Sequence, residues 1–219
     1  MSLVLHGSEM GNSPYVLSCF VALREKGLPF ELRAVALQRG AQHQPAFVAT
    51  SLTARVPVLE DGDLSLSESS AVVEYLEEAY PPPAYPRLLP SDLRARARAR
   101  QVMAWVRSDV GALREERSSE YVFFPRERLE PPRPLSPDGQ AAAEKVVRVA
   151  SQLIPDGGGP LFGSWCIADT DLAMMLWRLW RTDFPLPNKL RLYAETEWAR
   201  PSVRAFAEQP RPGAYATSV

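Results

Sequence analysis

Three short stretches combine residue types that could handle a small charged molecule. The first, Gly11-Asn12-Ser13-Pro14-Tyr15-Val16, sets a hydroxyl at the start of a helical pattern. The second, Arg55-Val56-Pro57-Val58-Leu59, places a proline between a polar loop and an apolar strand. Proline alone makes a cis peptide cheap, and a cis Val56-Pro57 bond would turn the Val56 N–H and C=O outward to pair with an extended peptide. The third, Ser67-Glu68-Ser69-Ser70, opens an apolar helical run of Ala71, Val72, Tyr75 and Leu76. A helix N-terminus has unpaired N–H groups and partial positive charge, so it captures carboxylates. Glu68 is available there for an ammonium. A strand-like backbone donor, a carboxylate-binding helix end and an acid together suit a short zwitterionic peptide.

Each of these residues also has a purely structural reading. Ser13 is a good N-cap and Pro14 suits the first helical position, so a cap accounts for both without a ligand. Cys19 falls on the apolar face with Val16 and Leu23, where a free cysteine packs as a small hydrophobe. Trp105 sits at helical spacing and reads as core, whereas Asp109, polar and mid-helix, invites a functional role. The loop before Val56 offers Arg39, Gln42, His43 and Arg55, but loops are polar in any case.

These stretches must be positioned by a chain whose first eighty residues alternate in type. Strands are expected at Leu3–His6 and Phe30–Ala36, helices at Pro14–Gly27 and Glu68–Ala79, and a hairpin at Val56–Glu60 and Leu64–Leu66 around Asp61-Gly62-Asp63. The first helix groups Val16, Cys19, Phe20 and Leu23 on one face. This is a thioredoxin-like α/β layout spanning residues 1–80. Tyr80-Pro81-Pro82-Pro83-Ala84-Tyr85-Pro86 cannot continue a helix and reads as the start of a linker, 81–91. Residues 92–219 read as an all-α domain: one long helix over Asp92–Arg117, a proline-broken loop at 118–137, and helices near 138–154, 167–182, 187–197 and 201–208. The 167–182 helix is apolar nearly all round and should form the buried centre of that domain.

Bulk properties exclude several function classes. The chain has 219 residues, a net charge of −1 and 46% hydrophobic residues, which leaves no electrostatic case for nucleic acid. Only Cys19 and Cys166 are present, so no disulfide framework is expected and a cytoplasmic location fits. The N-terminus lacks a signal-peptide pattern, and no apolar stretch approaches the roughly 20 residues of a membrane span. With His6 and His43 the only histidines, and cysteines without ligand spacing, no metal site is expected.

The Val56-Pro57 and Glu68-Ser69 stretches strongly resemble the glutathione site of the glutathione transferase family, and the resemblance extends over essentially the whole chain. It includes Phe162-Gly163-Ser164-Trp165-Cys166-Ile167-Ala168-Asp169-Thr170-Asp171, which looks like the helix-start motif of that family's C-terminal domain, with Cys166 in place of the usual Ser or Thr. In thioredoxin-like folds the turn at 13–16 holds a redox pair of cysteines. Here Ser13 and Val16 stand in their places, which favours Ser-type transferases over glutaredoxins.

The resemblance implies an α/β thioredoxin-like domain followed by an all-α domain, with glutathione as co-substrate and no metal. Ser13 would donate to the bound thiolate, and Val56, next to Pro57, would pair with the backbone of the tripeptide's cysteine. Glu68 and Ser69 would hold the γ-glutamyl end, while Arg55 and His43 rank first for the glycine carboxylate. Tyr15, Trp105 and Asp109 would line the pocket for a small electrophile or peroxide. A homodimer is implied, with the Arg94/Arg96/Arg98/Arg100 run facing an acid-rich surface such as Glu74, Glu77 and Glu78; no nucleic acid or membrane partner is. Two alternatives stand beside the transferase. One is a maleylacetoacetate isomerase-like activity, disfavoured because Asn12-Ser13-Pro14-Tyr15 lacks a cysteine just after the serine. The other is a non-catalytic binding module on the same fold.

Overall fold

The computed structural model describes residues 3–211; positions 1, 2 and 212–219 lie outside them. Among the described residues, 3–88 with 205–211 pack as one compact unit and Leu89–Arg204 as a second.

The first unit holds β1 (Leu3–Ser8), α1 (Pro14–Glu25), β2 (Phe30–Val35), α2 (Pro45–Thr50), β3 (Val58–Asp61), β4 (Leu64–Ser67) and α3 (Ser69–Ala79). Its sheet runs in the order β2-β1-β3-β4. β1 pairs in parallel with β2, while β3 is antiparallel to both β1 and β4. This is the mixed α/β unit the alternating pattern predicts. Gly7 lets α1 seat directly on β1, since a Cβ there would come 2.9 Å from Val16 Cγ1. Every residue of α1 from Val16 to Leu23 is buried, more than the single stripe the spacing predicts. The reason is that α1 packs both on β1 and against α3, whose Val72, Val73 and Leu76 are buried too. Residues 37–50, a plain loop by their sequence pattern, hold one-turn 3-10 helices at Leu37–Arg39 and Ala41–His43 as well as α2.

Lys26, just past α1, is buried with its ammonium at the centre of a polar knot. It donates to the Tyr80 carbonyl (2.8 Å) and the Pro86 carbonyl (2.9 Å) and pairs with Glu77 (3.0 Å). Glu77 in turn accepts the Leu88 N–H at 2.8 Å. The proline-rich stretch is therefore fastened to the first unit. A second anchor is Asp61, which accepts both the Tyr75 and Tyr80 hydroxyls at 2.8 Å. Burial, followed by the Asp61 bond, pushes Tyr80 up to about 12.

The second unit contains α4 (Leu93–Ser108), α5 (Gly111–Glu116), α6 (Glu120–Phe123), α7 (Pro137–Leu153), α8 (Ile167–Arg181) and α9 (Asn188–Trp198); α10 (Pro201–Ala207) follows. No strand occurs there among the described residues, as expected of an all-α region. The single helix predicted over Asp92–Arg117 is in fact broken. Val110 takes a left-handed φ of 52°, and the Asp109 carboxylate bonds the Val110 N–H at 2.7 Å. The Arg114 guanidinium reaches back to the Val106 carbonyl (3.0 Å) and the Asp109 carbonyl, satisfying acceptors that α4 leaves open. Apolar periodicity continued through this corner and hid it.

α8 is the buried centre, with Ile167 through Leu176 all enclosed. Its start is organised by Asp169, which accepts the Cys166 N–H (2.9 Å), the Leu161 N–H (2.7 Å) and the Tyr193 hydroxyl (2.8 Å). Burial, then the Asp169 charge, drives the Tyr193 hydroxyl and the Cys166 thiol upward. Glu197 on α9 is 6% exposed, and its carboxylate lies 3.5 Å from Arg200 Nε. Burial, then the negative charge of Asp169, raise it from 4.5 to about 7 against the opposing pull of Arg200.

Two outcomes follow from these buried charges. Lys26→Met strands Glu77 and two carbonyls, and should cost about 3 kcal/mol or more, read from the denaturant midpoint. For Glu197, the folded protein retains a proton that the unfolded chain has released. Its burial is therefore cost-free below about 4.5, grows destabilising as pH rises from there, and reaches its full penalty once pH has passed through about 7. In Glu197→Gln that penalty is gone, so the variant's stability relative to the parent should improve by about 2 kcal/mol between about pH 5 and about pH 8. A stability difference independent of pH would contradict the assignment.

Candidate functional site

Strand directions bring the three chemistry-bearing stretches to one place. β1 and β4 both run antiparallel to β3, so they point the same way. Ser13 follows the end of β1, and Glu68 immediately follows the end of β4. Val56 precedes the start of β3, which lies at that same edge because β3 runs the other way. The registers agree, with Val58 opposite both His6 and Ser67. Ser13, Val56-Pro57 and Glu68-Ser69, up to 56 positions apart in sequence, therefore share one edge of one sheet.

Ser13 is the N-cap of α1, its Oγ accepting the Val16 N–H at 3.3 Å. A hydroxyl that accepts still has its own proton to give, and accepting from a helix amide polarises that O–H as a donor. The cap and the catalytic readings of Ser13 are therefore compatible. Tyr15, half-buried, stands in the same first turn.

Val56 lies beyond both strand ladders, since the β3 register begins at Val58, and its bond to Pro57 is cis. The preceding loop is braced by two buried serines, Ser51 and Ser67, to which the sequence pattern assigned no such role. Ser51 Oγ accepts the Arg55 N–H (3.2 Å) and donates to the Arg55 carbonyl (2.9 Å). Ser67 Oγ accepts the Leu52 N–H at 3.0 Å and lies 3.5 Å from Ser51 Oγ. Only the spacing of small hydroxyl residues around the proline could have hinted at this brace. Arg55 and His43 are exposed, and among the described residues their side chains have no bonded partner.

Glu68 sits at the N-cap position of α3 with φ 70° and ψ 114°. Its exposed carboxylate makes no capping bond and has no partner among the described residues. A non-glycine residue at such a φ costs on the order of 1–3 kcal/mol and marks functional sites more often than ordinary turns. Ser69, buried, begins the helix. Glu9 also contributes unforeseen order: its carboxylate takes the Leu37 N–H (2.8 Å) and the Gln38 N–H (3.1 Å), which pins the segment leading to His43.

The remaining two candidates belong to the helical unit. Trp105 lines a cavity of about 290 Å³ with Arg98, Val102, Val149 and Leu153, and donates its indole N–H to Asp109 at 3.0 Å. Asp109 is not mid-helix as its spacing suggested but closes α4. Its carboxylate also takes Lys145 (2.9 Å) and the Val110 N–H, and these bonds, Lys145 foremost, hold it below the usual carboxylate range. Among the described residues no group of three His, Cys, Asp or Glu is placed to hold a metal, and no helix is long and apolar enough to cross a membrane.

The strain at Glu68 can be measured without any ligand. Glu68→Gly and Glu68→Ala both delete the carboxylate, but only glycine relieves the backbone. The glycine variant should be the more stable by about 1 kcal/mol, although alanine normally wins such a comparison. The ordinary order would deny the strain.

Comparison with known proteins identifies the family of the chain. Residues 8–84 match the model of the glutathione S-transferase N-terminal domain, and residues 92–209 that of the C-terminal domain. A Burkholderia glutathione transferase homologue, solved with glutathione bound, is 42% identical with a TM-score of 0.79, covering 95% of this chain and 98% of that one. Human glutathione S-transferase theta-1 is 34% identical over 137 residues, 63% of this chain and 55% of the relative. A probable maleylacetoacetate isomerase of Vibrio cholerae is 35% identical over 124 residues, 56% of this chain and 55% of that protein. The aligned stretches thus span about half the length of those curated relatives. The two domain models cover both the sheet-bearing unit and the helical one, and the chain belongs to the glutathione S-transferase family.

Proposed function

We propose that this protein is a glutathione transferase that binds glutathione at the shared sheet edge and activates its thiol for attack on a small electrophile or peroxide. The observation behind this is the convergence of a donor hydroxyl (Ser13), an unpaired strand-like backbone (Val56) and an unbonded carboxylate at a helix start (Glu68). In this reading Val56 exchanges backbone hydrogen bonds with the cysteine residue of glutathione. The γ-glutamyl ammonium pairs with Glu68, and its carboxylate meets Ser69 and the N-terminus of α3. Arg55 and His43, both exposed, are the hydrogen-bond donors assigned to the glycine carboxylate. The bound thiol loses its proton to solvent, Ser13 donates to the sulfur, and the thiolate forms the new bond as the leaving group departs with its electron pair. Trp105 is the helical unit's residue assigned to the electrophile; Asp109 holds its indole and Tyr15 flanks Ser13. The bound glutathione of the Burkholderia homologue supports the choice of co-substrate. Two buried cysteines outside any disulfide suit a cytoplasmic setting.

A homodimer is part of the same proposal, resting on the resemblance and on the exposed Arg94 and Arg98. Glu77 drops out of the acidic partner surface suggested by sequence, because it is committed to Lys26 and Leu88. Light scattering at micromolar concentration should give twice the mass of one chain; a monomeric mass would sink the dimer.

Glu68→Ala should weaken glutathione binding roughly 10- to 150-fold, the loss of one charge-assisted bond of about 1.5–3 kcal/mol. Calorimetry showing parental affinity would place the site elsewhere. Ser13→Ala should lose less than its position suggests. A thiol of pKa about 8.5 is about 3% ionised at pH 7, and lowering it by about 2 units gains near 25-fold in thiolate. Reduced nucleophilicity takes back roughly 8-fold, leaving about 3-fold plus whatever the hydrogen bond adds in the transition state. The start of α1 persists in the variant and still favours the anion. The expected loss is therefore about 3- to 100-fold in rate, with the thiol titrating at higher pH and binding retained. A substrate panel that includes maleylacetoacetate separates transferase from isomerase, and turnover of any substrate excludes a mere binding module.

A further inference from the structure

Past α10, the Arg211 guanidinium donates to four backbone carbonyls. Nε and Nη2 both donate to the Gly11 carbonyl, at 3.1 and 3.0 Å. Nη2 also donates to Phe206 O (2.8 Å), and Nη1 to Gln209 O (3.1 Å) and Ala207 O. Five bonds account for all five N–H donors of an arginine. Three of the carbonyls lie at the open C-terminal end of α10, where a cation is favoured. The fourth belongs to the turn that delivers Ser13. The segment is held against α1 as well, through Phe206, which is 1% exposed and packs edge-on against Phe20 at 5.3 Å. Gln209 and Pro210 line, together with Ser13, a small cavity of about 170 Å³ at this turn.

The turn needs such a restraint. Gly11 stands at φ 60°, and a glycine there has more backbone freedom than any other residue. Its N–H is tied to the Ser8 carbonyl (2.9 Å), but its C=O, which orients the Gly11-Asn12 peptide plane, is held by Arg211. Ser13 is two residues further on. A misplacement of a fraction of an ångström in a catalytic donor lowers rate without abolishing binding.

We propose that Arg211 is a positioning residue: by fixing the Gly11 carbonyl it sets the aim of the Ser13 hydroxyl at the thiol. This rests on the reading of Ser13 given above. Lysine cannot substitute, because it retains the charge but lacks the planar fork that reaches carbonyls on two segments at once.

The test is a pH titration of the thiolate absorbance of bound glutathione, with kcat and KM, in Arg211→Lys, Gly11→Ala, Ser13→Ala and the double variant Ser13→Ala/Arg211→Lys. Arg211→Lys should shift the thiol titration upward and lower kcat about 3- to 10-fold, with KM for glutathione within about 2-fold of the parent. Gly11→Ala, which acts on the same peptide and brings a Cβ 3.4 Å from Arg211 Nε, should do likewise. The double variant should be no worse than Ser13→Ala alone, since the two act through one hydroxyl. A lowered melting temperature with parental titration and kcat would mean a merely structural clamp and would overturn the proposal, as would full additivity in the double variant. If Ser13→Ala itself leaves the titration unmoved, the reading of Ser13 fails and the proposal with it. If Ser13→Ala moves it while Arg211→Lys and Gly11→Ala do not, only the role of Arg211 fails.

Discussion

The site depends on a constraint of strand direction. With β1 and β4 running one way and β3 the other, whatever follows β1, follows β4 or precedes β3 must lie at one edge of the sheet. That edge is where two helices begin, with N–H groups that have no partner inside the helix. The local residues then decide what the edge can hold. Ser13 satisfies one N–H and retains a proton to donate, Val56 offers backbone outside the ladders, and Glu68 points a carboxylate into solvent at the cost of a strained φ. In the function proposed here, anion-attracting helix ends beside the Glu68 carboxylate make a dipolar site that suits a dipolar peptide better than a simple anion.

Long-range polar ties keep that edge in shape. Glu9 holds the 37–43 segment, Ser51 and Ser67 hold the loop before Val56, and Arg211 holds the turn before Ser13. Each joins a side chain to backbone N–H or C=O groups in a segment that has little regular structure of its own. Partly buried side-chain-to-backbone bonds such as those of Ser51, Ser67 and Arg211 are costly to leave half-made, so they restrict loops that apolar packing would leave free. Lys26 does the same for the proline-rich stretch, and Asp169 for the start of α8.

Much of this was legible in the sequence, because local chemistry decides it. A hydroxyl before a proline at a helix start, Val-Pro ahead of a short apolar strand, and Ser-Glu-Ser-Ser ahead of an apolar helix each announce a backbone geometry. What escaped notice depends on contacts between distant positions. The bonds from Lys26 to the Tyr80 and Pro86 carbonyls and from Arg211 to Gly11 span 54 or more positions, and nothing in the neighbours of these two residues distinguishes them from surface cations. The corner at Asp109-Val110 was invisible for another reason: Val106, Val110 and Leu113 continue an apolar spacing while the backbone turns left-handed between them. Residues 37–50 lack both periodicities, so their short helices could not be read from pattern.

The central claim is that one sheet edge of the first unit receives glutathione through the backbone of Val56 and the helix starts at Ser13 and Ser69. The most direct measurement is an amide NMR titration of the isotopically labelled protein with glutathione. Perturbed N–H signals should concentrate at Val56, at Glu68 to Ser70 and along Ser13 to Val16, and saturate together with a single dissociation constant. Perturbations confined to the helical unit, or none at saturating glutathione, would contradict it.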